Sequence, residues 1–180
     1  MPFGLRIETM TINGRTFTTV FDAATRTTTR TTPEGRISIT TVDDQGRVIH
    51  SVPPGIEPTD ITYDPQGRIS ILLQGTRQRT FGYDAQTGYL LSVTDALSQE
   101  TLFERDAMGR TTRQTMPDGA LIDFAYDGKG NLVSLAPPQR PQHGMHYTPV
   151  DLMASYDPPV VSGSGTTSTT YGYNDDRQLE

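Results

Sequence analysis

The chain has 180 residues, of which 33% are hydrophobic, and no Cys. Disulfides and thiol chemistry are therefore excluded, and a large compact core is not expected. Fifteen Lys and Arg against 21 Asp and Glu leave a net charge of -6, which argues against nucleic acid or an anionic membrane as a partner.

No apolar run approaches the roughly 18 residues of a membrane span. The opening "MPFGLRIETM" lacks the basic and apolar regions of a Sec signal. Abundant Thr, with 17 Gly and 13 Pro, favours many short strands broken by turns. No window carries a helical pattern.

Taken in order, the chain repeats itself. One position before a turn is held by Phe21, Val42, Tyr63, Tyr83, Arg105, Tyr126 and Tyr147, at steps of 20 to 22 residues, and again by Tyr173. The next residue is Asp22, Asp43, Asp64, Asp84, Asp106 and Asp127, then Thr148 and Asn174. Glycine follows at Gly46, Gly67, Gly109 and Gly130, with Gly88 one place late, and arginine at Arg26, Arg47, Arg68 and Arg110.

A second turn signal stands midway in each unit: Pro33-Glu34-Gly35, Pro53-Pro54-Gly55, Gln74-Gly75, Ala96-Leu97-Ser98, Pro117-Asp118-Gly119 and Pro137-Pro138. The unit thus reads strand, turn, strand, turn. Alternation places Ile122, Phe124 and Tyr126 on one face and Leu121, Asp123 and Ala125 on the other. The pairs Ile61 and Tyr63, Phe81 and Tyr83, and Tyr171 and Tyr173 repeat that spacing.

The expected organisation is hairpin repeats over residues 1–136. An irregular excursion rich in Pro, Gly, Ser and Thr, with one degenerate repeat, follows over 137–170, and a further, truncated repeat begins over 171–180. No polar capping unit of the kind repeat arrays need is visible at the C-terminal side, so the chain is expected to be a piece of a longer array.

The repeated carboxylates invite a catalytic or metal-binding reading, but an active site does not need six equivalent copies. Asp at the start of a turn accepts backbone N–H bonds two residues on, and the Arg of the same unit can return to it. A calcium loop at "DGKGN" puts Lys129 where an acidic or amide ligand belongs. His143 and His146 sit on a Pro-rich stretch and His50 stands alone. No catalytic, cofactor-binding or metal site is expected, and no cofactor.

The segments "ITYDPQGRISIL", "FGYDAQTGYLLSV", "FERDAMGRTTRQTMPDGA" and "FAYDGKGNLVSL" resemble the YD repeat, also called the RHS repeat. "HGMHYTPVDLMASYDPP" resembles an element of bacterial Rhs cores. The resemblance covers the chain from about Phe21 onward. The repeat motif is carried by Tyr63, Asp64, Gly67, Arg68, Tyr83, Asp84, Gly88, Asp106, Gly109, Arg110, Tyr126, Asp127 and Gly130.

In Rhs proteins, the B and C components of Tc toxins and teneurins, such hairpins wind as a β-sheet spiral around a hollow shell. In the bacterial members the shell encloses a C-terminal toxin. The resemblance implies an all-β array of ~21-residue hairpin units in a long, curved, spiralling antiparallel sheet. It implies a non-enzymatic wall segment, secreted or delivered from a bacterial cell. The implied partners are the rest of the shell, an enclosed toxin or other cargo polypeptide, and a secretion apparatus. The family's self-cleaving aspartyl-protease region has no match here. The rival reading is an extracellular adhesive or carbohydrate-binding module that stacks sugars on the repeated tyrosines.

Overall fold

The computed structural model describes residues 4–160 and 168–180. Most of the insertion "VSGSGTTSTT" lies outside the described residues. Every regular element described is a β-strand. In chain order they are β1 (Leu5–Ile12), β2 (Arg15–Asp22), β3 (Thr27–Thr31), β4 (Ile37–Val42), β5 (Val48–Val52), β6 (Thr59–Tyr63), β7 (Ile69–Gln74) and β8 (Arg77–Tyr83). They continue as β9 (Leu90–Thr94), β10 (Glu100–Arg105), β11 (Thr111–Thr115), β12 (Leu121–Tyr126), β13 (Leu132–Ala136), β14 (His143–Tyr147), β15 (Met153–Asp157) and β16 (Thr169–Thr170).

The chain divides into two compact units, one running up to Gly82 with Thr94–Ser98, the other Tyr83–Val93 with Gln99–Glu180. In the first, β1 to β7 and most of β8 lie side by side in chain order, each antiparallel to the next. In the second, β10 to β16 do the same. Neither contains a crossover, so every pairing is between strands consecutive in the chain. The fold is all-β, antiparallel and built from repeated hairpins.

Two kinds of turn alternate, and copies of both kinds use the same device. In the Asp turns, Gly67 N–H donates to Asp64 O (2.9 Å) and Asp64 N–H to Arg68 O (2.8 Å). In the midway turns, Gly119 N–H donates to Met116 O and Met116 N–H to Ala120 O, each at 2.8 Å. This is the three-residue hairpin connection whose last loop residue is left-handed, and Gly67 (φ 82) and Gly119 (φ 81) supply it. Pro65 and Pro117 precede them, in the place where a φ near -65° suits the turn. The Asp turns carry a register shift next to the tyrosine position, between Thr41 and Val42, Thr62 and Tyr63, and Ala125 and Tyr126.

Residues directly opposite in an antiparallel pair share a face, so the register assigns the faces. In the second unit one face carries Phe103, Gln114, Ile122, Phe124, Leu135, His143, Met145 and Tyr156. The other carries Leu102, Glu104, Arg113, Asp123, Ser134, Gly144 and Asp157. In the first unit Ile61 and Leu72 share the face of Tyr63, opposite to that of Thr62 and Ile71. No side chain among the described residues is buried. Each unit is one layer thick and has no core.

Two details differ from the sequence reading. The stretch expected to be irregular carries a regular hairpin, β14 against β15, with a register shift between His146 and Tyr147 like that of the other Asp-type turns. Its prolines fall in turns, where Pro137 O accepts from Arg140 N–H at 3.2 Å. Arg26 (φ 53) takes the left-handed glycine place, not the arginine place. Ahead of the first motif copy at Phe21, β1 and β2 form a hairpin closed by Asn13 (φ 50) and Gly14 (φ 74), the Asn-Gly pair that two-residue hairpins prefer.

Candidate functional site

The features that recur are the turn carboxylate, its arginine and the tyrosine beside them. In three copies the arrangement is the same. Asp43 Oδ1 accepts from the N–H groups of Gln45 and Arg47, both at 2.9 Å, while Arg47 Nε donates to Oδ2 at 2.7 Å. Asp64 does likewise with Gln66, Arg68 and Arg68 Nε at 2.9, 2.8 and 2.7 Å. Asp106 does so with Met108, Arg110 and Arg110 Nε at 2.9, 2.9 and 2.6 Å.

The three carboxylates are only 15%, 14% and 23% exposed, so water competes weakly for them. That burial is the largest influence on each and opposes ionisation. The N–H and guanidinium donors of the turn together outweigh it and hold each carboxyl below the usual aspartate range.

Other copies reach the same end with other donors. Asp127 is bonded by Asn131 Nδ2 (3.0 Å) and by the N–H groups of Lys129 and Asn131. The Asn131 amide lowers its pKa most, against burial. Asp84, whose turn is one residue longer, takes the N–H groups of Gln86 and Thr87 and the Thr87 hydroxyl. Thr87 N–H, then its hydroxyl, lower its pKa. Thr148 Oγ1 and Asn174 Oδ1 accept from Leu152 N–H and Gln178 N–H, so the two copies without Asp keep the cap without the charge.

The tyrosine ties one hairpin to the one before. The hydroxyls of Tyr63, Tyr126 and Tyr147 donate to Val48 O, Thr111 O and Leu132 O at 2.9, 3.0 and 3.0 Å, each fifteen residues back. The guanidinium of the preceding turn lies over the ring, with Arg47 4.4 Å from the Tyr63 centroid and Arg110 4.7 Å from that of Tyr126. The same guanidiniums lie against the next glycine: a Cβ at Gly67 would be 3.1 Å from Arg47 Nη1, and one at Gly130 3.5 Å from Arg110 Nη1. At Gly109 a Cβ would be 2.7 Å from Tyr89 Cζ. Asp, Arg, Gly and Tyr therefore join the Asp43 turn to the Asp64 turn in the first unit and the Asp106 turn to the Asp127 turn in the second.

The profile of the teneurin YD-shell family matches residues 6–179. The chain belongs to that family. Among solved structures, TcdB2-TccC3 is 18% identical with a TM-score of 0.45, the match covering 92% of this chain and 9% of that one. The Photorhabdus luminescens Tc holotoxin pore is 18% identical with a TM-score of 0.46 and the same coverage. TcdB2-TccC3 without its hypervariable C-terminal region is 15% identical, with a TM-score of 0.41 and coverage of 97% and 11%. The chain thus spans about a tenth of the length of these solved chains. Comparison with curated proteins finds no match.

As a YD-shell chain it departs from the motif in an instructive place. Arg105 stands where tyrosine is usual, yet its Nε donates to Leu90 O at 3.0 Å, also fifteen residues back, and its Nη1 to Gly109 O at 3.0 Å. A guanidinium replaces a phenol without losing the inter-hairpin bond.

The histidines are placed differently from the sequence reading. His143 and His146 are both on β14, not on a loop, but point to opposite faces. His143 Nδ1 meets the Tyr156 hydroxyl at 2.5 Å and His146 Nε2 meets Asp157 Oδ2 at 2.8 Å. They do not converge on one ligand, and no group of three metal-ligating side chains occurs among the described residues. Lys129 donates to Pro149 O and pairs with Asp151 Oδ1 at 3.1 Å, so the cation of the "DGKGN" loop is engaged by the next turn. His50 is not alone: its Nδ1 lies 2.6 Å from Asp60 Oδ1. No single-strand motif could reveal that partner, because the sheet register creates it.

Proposed function

We propose that this chain is a wall segment of a hollow shell that encloses a polypeptide cargo, a C-terminal toxin segment of the same assembly, and holds it for delivery to a target cell. One observation carries the reading. Within each unit the sheet is a single layer without a buried side chain among the described residues, ordered instead by bonds within and between its turns. A layer stiffened along its turns and open on both faces is suited to separating two spaces. The chain's YD-shell membership supports the enclosed geometry.

The role proposed for Tyr63, Asp64, Gly67, Arg68 and their counterparts is to join hairpin to hairpin. Their engagement supports a non-catalytic reading, since each of the six repeated aspartates already holds two or more donors from its own turn. The partners are neighbouring hairpins of the shell, the enclosed chain and a secretion apparatus, and the place of action is outside the producing cell. The adhesive alternative is disfavoured, because one face of the Tyr63 and Tyr126 rings is covered by a guanidinium and sugar stacking needs an open ring face.

Proteolysis of the whole assembly tests the reading. The cargo segment should resist proteinase K while the wall is folded and be digested at the rate of free cargo once the wall is denatured. Digestion at the free rate inside a folded wall would sink the proposal. Saturable glycan binding abolished by Tyr83→Ala would replace it with the adhesive reading.

A further inference from the structure

Charge is sorted by face in the first unit. Strands β1 to β8 carry the arginines Arg6, Arg15, Arg30, Arg77 and Arg79 and the carboxylates Glu8, Asp22 and Asp60. The register places all five arginines and Glu8 on the face of Tyr63, and both aspartates on the other. Arg6 pairs with Glu8 at 2.5 Å and Arg15 with Glu34 at 3.5 Å. Arg30, Arg77 and Arg79 are exposed and have no anionic partner among the described residues.

A straight row of polar side chains joins these cations. It starts at Arg6, crosses every strand to Arg77 and includes Thr28, Thr40, Ser51 and Thr59. None of these four hydroxyls has a hydrogen-bond partner among the described residues. The matching row on the opposite face is paired within itself: Thr27 Oγ1 lies 2.9 Å from Thr41 Oγ1, and His50 Nδ1 2.6 Å from Asp60 Oδ1. A shallow basin stands at each end of the free row. One, of about 210 Å³, is lined by Arg6, Arg30, Thr28 and Phe21, and the other, of about 200 Å³, by Arg77, Arg79, Leu72 and Gln74. Each also holds a carboxylate that is already engaged, Glu8 by Arg6 and Asp95 by Leu97 N–H at 2.8 Å.

We infer that this face of the first unit docks an extended acidic segment of polypeptide, which lies across the strands with carboxylates on Arg30 at one end and on Arg77 and Arg79 at the other. Unpaired guanidiniums select an anion, and hydroxyls, which both donate and accept, suit the peptide groups between. The length agrees as well. Seven strand steps from β1 to β8, of about 4.8 Å each, make roughly 34 Å, the reach of about ten extended residues at about 3.3 Å each. The cations are too sparse for a nucleic acid, whose duplex carries a charge about every 1.7 Å. Between Thr28 and Thr59 the row has no aromatic ring on which a sugar could stack. The surface is a property of this one face and does not depend on what the wall encloses.

Fluorescence anisotropy of a labelled decapeptide of alternating Glu and Ser, titrated with the full chain, tests the inference. Binding should be saturable, weaken as salt is raised, and be absent for the same peptide with Gln in place of Glu. Arg30→Gln should weaken it up to about fivefold, the range of an exposed ion pair, and Arg77→Gln with Arg79→Gln by the product of two such losses. Thr40→Val with Ser51→Ala should weaken it while leaving the salt dependence unchanged. Asp60→Asn, on the opposite face, and Arg113→Gln, in the second unit, should leave it intact. No saturable binding, equal binding of the Gln peptide, an equal loss in Arg113→Gln, or tighter binding of an anionic glycan or oligonucleotide of the same length would each overturn it.

Discussion

At the scale of single residues, the turn aspartate is a structural group made to look chemical by repetition. Its two oxygens are divided between backbone N–H groups and, in three copies, a guanidinium Nε. The consequence is a pH dependence with a definite sign. Asp22, Asp43, Asp64, Asp84, Asp106 and Asp127 are all held below the usual aspartate value. The unfolded chain therefore takes up protons first as pH falls. Stability should be complete above the unfolded aspartate value of about 3.9 and be lost as pH drops through the lower folded values. Urea midpoints measured from about pH 6 down to about pH 2.5 should fall monotonically. Asp106→Asn should lower the midpoint at neutral pH and flatten the acid slope. An unchanged slope in that variant would mean that the turn carboxylates are not the titrating groups.

At the scale of the element, the hairpin was readable because its turns depend on local chemistry. Pro, Asp and Gly at fixed offsets mark turns, and six Asp turns with six midway signals phased the strands. What was not readable depended on register or on substitutes. Asn13-Gly14 opens a hairpin that a search keyed on tyrosine passes over. Arg26 and Asp151 adopt the left-handed conformation (φ 53 and 63) without being glycine. The prolines after Ala136 suggest an irregular excursion in composition, yet they fall between strands and leave the β14–β15 hairpin regular. Arg105 interrupts the tyrosine series, whereas its guanidinium makes the tyrosine's bond. Arg105→Leu should therefore cost about 1 kcal/mol, the usual net worth of one hydrogen bond, in denaturant unfolding. Arg105→Tyr should restore most of that, since a phenol at this position reaches the equivalent carbonyl in three other copies. Equal stability of the Leu and Tyr variants would show that the bond to Leu90 O contributes nothing.

At the scale of the whole molecule, the missing core decides how stability is distributed. In a globular domain, packing of side chains buried from all sides couples distant elements. Here no described side chain is buried, and within each unit every strand contacts only the strands before and after it. Such an array should behave as a sum of hairpin terms and nearest-neighbour terms, and a lesion should be felt locally. Gly109→Ala provides the lesion. A left-handed alanine alone costs about 1–2 kcal/mol, and at φ 82 the new Cβ would also press on Tyr89 at 2.7 Å. Hydrogen exchange of this variant should show faster opening in β10 and β11, a smaller rise in β12, and unchanged protection in β2 to β4. A uniform loss of protection along the chain would instead reveal one cooperative unit, which a coreless sheet stabilised turn by turn has no means to form.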